Sequence, residues 1–335
     1  MRLGFLGVGW IGRNRLEAVA RSGIAEIVAI ADPSRADAEA ARAAAPGARL
    51  HASYEDLLRE RLDGVVIATP SAMHAGQAIL ALERGLAVFC QKPLGRTAAE
   101  SRRVVAAAHA ADRLLGVDLS YRALEGVRRM GEFCRSGRLG RIYTGDFVFH
   151  NAYGPDKDWF YDRRRSGGGC VMDLGIHLVD LALWLFGDPR VERVQSRLFA
   201  AGEPLPRRPR VVEDHAIATL HLEGGISARL ACSWRLSAGR EAVIEASVYG
   251  TEGAVMLRNV NGSFYDFVTE HCIGTRREIL AEPPDQWGGR SIVEWAARVA
   301  EGVGFDPGAE RFVTAAGAID AIYGRRSSLR HPVLA

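Results

Sequence analysis

Short apolar runs alternate with segments of helical character through the first third of the chain. The apolar runs are 3–6, 26–31, 64–69, 88–92 and 114–117, and the helical segments are about 13–22, 74–84 and 98–111. Strands that alternate with helices are typical of a parallel sheet, because each parallel crossover needs a long connecting segment. The sequence therefore predicts a doubly wound α/β domain at the start of the chain.

The pattern changes after about residue 120. A helical segment at 123–136 and a strand at 141–150 precede a polar aromatic loop at 151–165. Strand-like segments then follow without regular helices between them, at 191–198, 215–222, 226–236, 242–249 and 254–258, before helices return at 291–302 and 311–325. Such a series is typical of a mostly antiparallel sheet. We therefore predict two domains, 1–120 and 121–335, the second an α+β domain with a large open sheet.

Three glycines connect the first apolar run to the first helix. Gly7, Gly9 and Gly12 form the pattern G-x-G-x-x-G. Between a strand and a helix, such glycines let the backbone approach a pyrophosphate, whose charge meets the helix N-terminus. Asp32 ends the second strand, at the spacing of roughly 20 residues from which a carboxylate accepts hydrogen bonds from the adenosine ribose. This predicts a dinucleotide site.

The charge at Asp32 bears on the choice of cofactor. A carboxylate there would repel the 2′-phosphate of NADP, which favours NAD, although Arg35 is close enough in sequence to attract that phosphate. The residues that we expect to contact the cofactor are Gly7, Gly9, Trp10, Ile11, Gly12, Asp32, Arg35, Thr69, Pro70 and Lys92.

Lysine is rare in this chain, with two among 43 basic residues. Lys92 ends the apolar run 88–92, at the edge where a parallel sheet presents side chains to a ligand. An ammonium differs from a guanidinium because its pKa falls readily on burial. This context favours a functional role for Lys92, whereas Lys157 in the polar loop is equally consistent with a chance surface position.

Three consecutive glycines at 167–169 begin the densest functional pattern. They lead into a helix that we expect to run to about Phe186, with Asp173 and His177 four residues apart and therefore on one face. Asp180 extends this polar seam, and we expect it to have a structural partner. An Asp–His pair aimed at a cofactor accounts for such a seam. The same spacing can hold a metal, but no further His or Cys group is supplied, so we expect none.

Composition excludes several classes of protein. The 43 basic and 40 acidic residues leave a net charge of +3 with no basic face, so we expect neither nucleic acid nor a membrane as a partner. Five scattered cysteines without a C-x-x-C pair are neither a disulfide framework nor a structural zinc site. We expect no signal peptide, and no apolar stretch of the ~20 residues that span a bilayer. These features predict a cytoplasmic protein.

The glycine turn, the Lys92–Pro93 pair and the pattern G-G-G-x-x-x-D-x-G-x-H together resemble the Gfo/Idh/MocA family. The resemblance extends over the whole chain, to the helix at 318–323 and the final residues 332–334. It implies an N-terminal Rossmann domain and a C-terminal α/β domain. It also implies a homodimer or homotetramer that forms through the C-terminal sheet.

The resemblance implies roles for individual residues. The family's catalytic lysine, aspartate and histidine fall on Lys92, Asp173 and His177, and Pro93 matches a proline that in relatives often follows a cis bond. The chain departs from the family at Gln91, where the usual pattern is Glu-Lys-Pro. We expect Gln91 to face the sheet interior and to make neutral hydrogen bonds there.

These features predict a NAD-dependent oxidoreductase, with NADP as the alternative cofactor, that acts on a secondary alcohol of a sugar, sugar derivative or cyclitol. His177 would be the general base, because histidine titrates near neutrality, and Lys92 would stabilise negative charge on the reacting oxygen. Asp173 would orient the substrate hydroxyl or the lysine. Further candidate substrate contacts are Tyr121, Arg122, Tyr153 and Trp159. Tyr153 and Trp159 could equally belong to the core.

Two other functions stay open on the sequence alone. An enzyme of this fold that holds NAD tightly can act as a glycosidase through transient oxidation of its substrate. Relatives also include redox-silent regulators that sense NAD or a sugar. Retention of Lys92, Asp173 and His177 together argues against a sensor, since a sensor needs no proton relay.

Overall fold

The computed structural model describes residues 1–206 and 209–325. The final positions of the resemblance, 332–334, lie outside the described residues. The chain divides into two compact units. Unit 1 comprises Met1–Gly95, Ala99–Ser120 and Gln286–Val313, and unit 2 comprises Arg96–Ala98, Tyr121–Asp285 and the chain from Thr314.

The regular elements are numbered in chain order. The strands are β1 (Arg2–Leu6), β2 (Glu26–Ala31), β3 (Arg49–His51), β4 (Gly64–Ile67), β5 (Ala87–Cys90), β6 (Leu115–Val117), β7 (Ile142–Asn151), β8 (Val191–Ala200), β9 (Glu203–Pro204), β10 (His215–Leu222), β11 (Ile226–Ser233), β12 (Ala242–Gly250), β13 (Ala254–Asn259), β14 (Phe267–Ile273) and β15 (Arg276–Ala281). The α-helices are α1 (Trp10–Ser22), α2 (Arg35–Arg42), α3 (Tyr54–Leu57), α4 (Ser71–Glu83), α5 (Ala98–Ala111), α6 (Glu125–Arg135), α7 (Arg163–Ser166), α8 (Ile176–Leu185), α9 (Arg290–Ala300) and α10 (Glu310–Ile322).

Unit 1 contains a parallel sheet of six strands in the order β3-β2-β1-β4-β5-β6. The strands β4 and β5 are buried along their whole length, which explains why their sequences are continuous apolar runs rather than alternating ones. Leu3, Phe5, Ile30 and Phe89 are among the most deeply buried side chains. The predicted doubly wound parallel sheet is confirmed, and its carboxyl edge carries the predicted cofactor residues.

The segment Gln286–Val313 packs in unit 1, which corrects the predicted second domain of 121–335. The cause is the apolar face of α9. Ile292 and Trp295 are buried in the core of the parallel sheet, and the Trp295 ring lies 5.5 Å from the ring of Phe89 on β5. A local pattern identifies this helix but not the sheet against which its apolar face packs.

Unit 2 contains a nine-stranded sheet in the order β15-β14-β13-β12-β7-β11-β10-β8-β9. Neighbouring strands are antiparallel except for β7 and β11, which are parallel, so the predicted mostly antiparallel sheet is confirmed. The strands β9, β14 and β15 were not predicted from the sequence. Along β7, Phe147 and Phe149 are buried and alternate with partly exposed residues, and α8 packs against this strand.

One helical run of unit 2, Arg163–Leu185, is long and apolar enough to cross a membrane by length and composition. This corrects the expectation that no stretch of that length occurs. Its most apolar part is 89% buried within the protein, as is usual for the core helix of a globular domain.

Candidate active site

The turn between β1 and α1 has the geometry of a dinucleotide cradle. Gly7 has a φ of +81°, a conformation that other residues rarely adopt. A Cβ at Gly12 would lie 2.1 Å from Gly7 O, so glycine is needed there for the helix to approach the strand. A Cβ at Gly9 would have nothing within 4 Å. Gly9 therefore leaves open space at the N-terminus of α1, where a pyrophosphate can approach the backbone.

Asp32 lies beside this turn and is held by two backbone donors. Val8 N donates to Asp32 Oδ2 at 2.7 Å, and Ser34 N donates to Oδ1 at 2.8 Å. These bonds fix the carboxylate at the carboxyl end of β2, the position of the ribose contact in such sites. The guanidinium of Arg35 is exposed and lies 3.7 Å from Glu39, one turn along α2, so its ion pair is made within its own helix.

The other predicted cofactor residues lie at the same edge of the sheet. Trp10, which is 66% exposed, and Ile11 begin α1. Thr69 and Pro70 connect β4 to α4, and the Thr69 hydroxyl donates to Gln77 Oε1. The structure thus gathers these residues at the carboxyl ends of β1 and β4, and the open space above Gly9 fits a bound dinucleotide.

Lys92 follows β5 and is joined to Pro93 by a cis peptide bond, as the resemblance implied. The adjoining segment is held by His74, whose Nδ1 lies 2.7 Å from Pro93 O and whose Nε2 lies 2.6 Å from Thr69 O. Burial lowers the pKa of His74, and the two carbonyl contacts oppose that effect. His74 therefore ties the segment after β4 to the segment after β5, and we assign it no catalytic role.

Gln91 is buried as expected, but its partner is charged. Its Nε2 donates to Asp118 Oδ2, and the same oxygen accepts a hydrogen bond from Arg15 Nε at 2.6 Å. The expectation of neutral hydrogen bonds was therefore wrong, because residue 91 contacts a buried ion pair. The strands β5 and β6 are neighbours, and the residue that follows β6 is an aspartate.

The segment after the three glycines is not one regular α-helix. Val171–Gly175 form a π-helical turn, and α8 continues from Ile176. Such turns are rare and occur frequently at functional sites. Asp173 lies within the π turn and His177 lies in the first turn of α8, so their four-residue spacing crosses a change in helix geometry that the sequence analysis did not anticipate.

The three glycines pack against protein atoms. A Cβ at Gly168 would lie 1.9 Å from Tyr323 Oη, and one at Gly169 would lie 1.9 Å from Glu213 O. Glu213 Oε1 accepts hydrogen bonds from Gly169 N at 2.9 Å, Val171 N at 3.0 Å and Tyr323 Oη at 2.7 Å. Burial raises the pKa of Glu213, while these hydrogen bonds oppose the rise. Glu213 therefore fixes the start of the π turn.

Asp173 and His177 contact the ends of two neighbouring strands. Trp234 Nε1, just beyond β11, donates to Asp173 Oδ2 at 3.1 Å. The buried ring of His177 packs edge-on against Tyr121, with centroids 4.9 Å apart, and lies 6.5 Å from Phe149 on β7. The structure thus places the predicted carboxylate and imidazole on the covered side of the nine-stranded sheet, each held by aromatic side chains.

The other predicted substrate contacts have different surroundings. Arg122 donates to both carboxylate oxygens of Asp180, at 2.7 and 2.6 Å, in a buried ion pair. This pair gives Asp180 its expected structural partner and holds the guanidinium of Arg122, whose contact with the substrate stays a prediction. Tyr153 is 51% exposed, and the Trp159 ring stacks on Phe160 with centroids 3.8 Å apart. Tyr153 and Trp159 therefore remain available as aromatic surfaces in the loop.

Three residues that hold predicted site residues in place were not themselves predicted: Asp118, Glu213 and Trp234. Each meets its partner across a long stretch of chain, of 27, 44 and 61 positions respectively. For Asp118 a signal existed, because an acidic residue directly after an apolar strand lies at the ligand-binding edge of a parallel sheet. Among residues 1–206 and 209–325, no group of three or more His, Cys, Asp or Glu side chains could hold a metal ion.

Comparison with known families agrees with both units. Residues 1–119 match the oxidoreductase family with an NAD-binding Rossmann fold, and residues 127–256 match the GFO/IDH/MocA C-terminal domain. The chain belongs to the Gfo/Idh/MocA family. This member is 33% identical over 299 residues to D-apiose dehydrogenase from Paraburkholderia graminis, covering 87% of this chain and 75% of that protein. It is 31% identical to inositol 2-dehydrogenase from Leifsonia xyli, covering 68% and 67%.

Solved structures show the same fold. Levoglucosan dehydrogenase in complex with NADH and levoglucosan has a TM-score of 0.82 at 22% identity, covering 97% of this chain and 96% of that one. A 3-ketoreductase from Actinomadura kijaniata in complex with NADP has a TM-score of 0.83 at 23% identity, covering 97% of each chain. At these identities the likeness establishes the architecture alone.

Proposed function

We propose that this protein is a NAD-dependent dehydrogenase that oxidises, or in reverse forms, a secondary alcohol of a sugar, sugar derivative or cyclitol. The observation that carries the proposal is the pairing of a buried imidazole, His177, with the oriented carboxylate of Asp173 on one helical segment. The sequence relatives that act on D-apiose and inositol support a polyhydroxylated substrate.

Each residue has a separate task in this proposal. His177 takes the hydroxyl proton of the substrate as general base, and returns it as general acid in the reverse direction. Lys92 donates a hydrogen bond to the reacting oxygen and stabilises the negative charge that develops there. Asp173, which Trp234 holds by one oxygen, accepts a hydrogen bond from a substrate hydroxyl. Bound nicotinamide supplies the hydride acceptor or donor.

Asp32 favours NAD in this proposal. Its two oxygens are held by Val8 N and Ser34 N, so the carboxylate is fixed beside the turn and keeps its negative charge close to the position of a ribose 2′-substituent. Arg35 contacts Glu39 on its own helix, and this pair weakens its attraction for a 2′-phosphate. We therefore expect a lower KM for NAD than for NADP.

The test is a panel of sugars and cyclitols, including D-apiose and inositol, with NAD and with NADP, followed by the absorbance of the reduced cofactor. With the substrate so identified, His177→Ala and Lys92→Ala should each lower kcat by about 10²-fold or more, the usual scale for acid–base and oxyanion groups. NAD affinity should barely change. Lys157→Ala is the matched control, because this second lysine lies at the surface beside Asp156 and should leave kcat unchanged.

Three results would contradict the assignment. Near wild-type turnover in either alanine variant would remove that residue from the reaction. Hydrolysis of glycosides without added cofactor would identify a glycosidase that acts through transient oxidation. Binding of NAD with no turnover on any member of the panel would favour a sensor.

We further propose that the protein is cytoplasmic and forms a homodimer or homotetramer through the sheet of unit 2. The five cysteines are free thiols, as a reducing compartment requires. The sheet face that carries Ile217 and Arg197 has a shallow groove of about 730 Å³, and the Ile217 side chain is 46% exposed. Light scattering of the purified protein should give a mass of two or four chains, and Ile217→Lys should reduce it.

A further inference from the structure

A buried carboxylate at the end of β6 is not explained by hydride transfer. Asp118 is 1% exposed. Its Oδ2 accepts hydrogen bonds from Arg15 Nε at 2.6 Å and from Gln91 Nε2, and its Oδ1 accepts one from Ser291 Oγ at 3.1 Å. The three donors belong to α1, to the segment after β5 and to α9. A buried charge is retained only where it is paired and hydrogen-bonded, and this one is both.

The backbone places this carboxylate next to the lysine segment. Asp118 N donates to Cys90 O at 2.9 Å, and Gln91 N donates to Ile67 O at 2.8 Å. Residue 91 is therefore fixed by its main chain to β4 and by its side chain to Asp118, and Lys92 is the next residue. On the other side of Lys92, His74 contacts the carbonyl of Pro93. The lysine is held by a neighbour on each side.

The charge at this position explains the departure at residue 91. Gln91 can donate to Asp118 because its side chain carries an amide N–H, whereas an ionised glutamate has acceptors only. Glutamate at 91 would bring a second carboxylate against Asp118 Oδ2, with Arg15 as the cation that pairs with it. Two buried carboxylates in contact do not both ionise at neutral pH. Glutamine at 91 therefore donates to aspartate at 118 without any change of protonation, whereas glutamate at 91 would have to hold a proton to make the same contact.

We propose that Asp118 is a positioning residue for Lys92. It carries the negative charge that the family's usual Glu-Lys-Pro pattern places at residue 91, and it acts through the side chain of Gln91, with Arg15 as its counter-ion. The proposal rests on the role of Lys92 in the proposed function. It predicts that residues 91 and 118 are interdependent, so that exchanging donor and acceptor in Gln91→Glu/Asp118→Asn restores what Gln91→Glu alone disturbs.

The presence of two lysines allows a direct test that needs no substrate. Protein labelled with ¹³C at the lysine ε carbon gives one signal from Lys92 and one from Lys157, which Lys157→Arg assigns. Gln91→Glu should displace the Lys92 signal and change its titration midpoint, while the exposed Lys157 stays unchanged as an internal control. The double variant should return the Lys92 signal to its wild-type position.

Turnover gives the second readout. We expect Gln91→Glu to lower kcat by about tenfold, ~1.4 kcal/mol of barrier, with little change in the KM for NAD, and the double variant to recover to within about threefold of wild type. Asp306→Asn is the matched control, because it removes an ion-paired aspartate of unit 1 that lies 2.9 Å from Arg298. Its neighbour Phe305 bonds to Asp112, which precedes β6, whereas Lys92 follows β5 at the opposite edge of the parallel sheet. This control should leave both readouts unchanged.

Several outcomes would overturn the proposal. An unmoved Lys92 signal in Gln91→Glu, or a double variant no better than the single one, would show that 91 and 118 are not coupled to the lysine. If Gln91→Glu fails to fold, recovery of the fold in the double variant supports the coupling, and failure to recover contradicts it. Absence of turnover in the wild-type protein would instead contradict the proposed function, while the lysine signals would still decide the coupling.

Discussion

The chain has two glycine-rich segments, and their glycines have different neighbours. In the first, a Cβ at Gly9 would meet nothing within 4 Å, so the space at this turn is open. In the second, a Cβ at Gly169 would lie 1.9 Å from a backbone oxygen of Glu213, and a Cβ at Gly168 would lie 1.9 Å from the hydroxyl of Tyr323. Gly9 in the first segment therefore leaves room for a ligand, whereas Gly168 and Gly169 in the second leave room for other parts of the protein.

This difference shows why similar sequence patterns need separate interpretations. The first turn is completed by residues within 32 positions of the N-terminus, through the bond from Val8 N to Asp32. The second depends on Glu213 and on Tyr323, which lie 44 and 155 positions beyond Gly169 and Gly168 respectively. We therefore expect a substitution at Gly9 to affect cofactor binding, and substitutions at Gly168 or Gly169 to affect folding and the placement of Asp173.

The largest effect should come from Gly169→Ala. The added methyl group would overlap the Glu213 carbonyl oxygen, which belongs to the backbone and cannot rotate away. Overpacking of this kind should lower the free energy of unfolding by about 3 kcal/mol or more. Urea denaturation of the variant and the wild-type protein measures the difference. Unchanged stability would show that the second segment is as open as the first.

Gly9→Ala should have the opposite profile. Gly9 has a φ of −57° and free space around its Cα, so alanine fits the unliganded fold. Its methyl group would occupy the space through which a pyrophosphate approaches the backbone, and NAD affinity should fall about tenfold, ~1.4 kcal/mol. Titration with NAD, followed by the fluorescence of the adjacent exposed Trp10, measures this. A loss of stability without a loss of NAD affinity would show that Gly9, like Gly169, is packed against the protein.

Trp234→Phe tests whether the carboxylate of Asp173, which follows the second glycine segment, must be oriented by a hydrogen bond. The variant keeps an aromatic ring but loses the indole N–H that donates to Asp173 Oδ2. A hydrogen bond to a charged group contributes about 1.5–3 kcal/mol, so kcat/KM should fall about tenfold if the aspartate contacts substrate. Thermal unfolding of the variant is the control for the fold. Full activity would mean that Asp173 needs no such orientation.

The mildest change to the second segment is Glu213→Gln. Burial raises the pKa of Glu213, so the folded protein keeps a proton there at pH values where the unfolded chain has lost it. The free energy of unfolding should therefore fall as pH rises above the ordinary glutamate value of about 4.3, by at most ~1.4 kcal/mol per pH unit. In Glu213→Gln the free energy of unfolding should not show this part of the dependence on pH. Identical slopes in the two proteins would show that Glu213 titrates at its ordinary pKa.

Local patterns were sufficient for the dinucleotide site. Gly12 and Asp32 are required by contacts within one strand–turn–helix–strand unit, Gly7 is favoured there by its positive φ, and the apolar runs around them predicted the parallel sheet. Lys92 was predicted to be functional because a strand end in such a sheet lies at the ligand-binding edge, and its role stays a prediction. The mostly antiparallel character of the sheet in unit 2 was also predicted, from strands that follow one another without helices between them.

Other features depended on contacts between distant parts of the chain. The apolar face of α9 is visible in the sequence, but only the fold places Trp295 against Phe89 in unit 1. The neutral partner expected for Gln91 proved to be Asp118, because the hydrogen-bond partner of a strand end depends on which strand lies beside it. The π turn at Asp173 is likewise held by Glu213 from another segment.

The sequence by itself determined the two kinds of sheet, the glycine turn between β1 and α1, and the side chains that we propose as reactive. These follow from periodicity, backbone freedom and side-chain chemistry, which are properties of neighbouring residues. The tertiary structure decided which glycines face open space, which carboxylates are buried, and which partner orients Asp173. Those properties arise when residues far apart in the chain share a low-dielectric interior, where every polar group needs a partner.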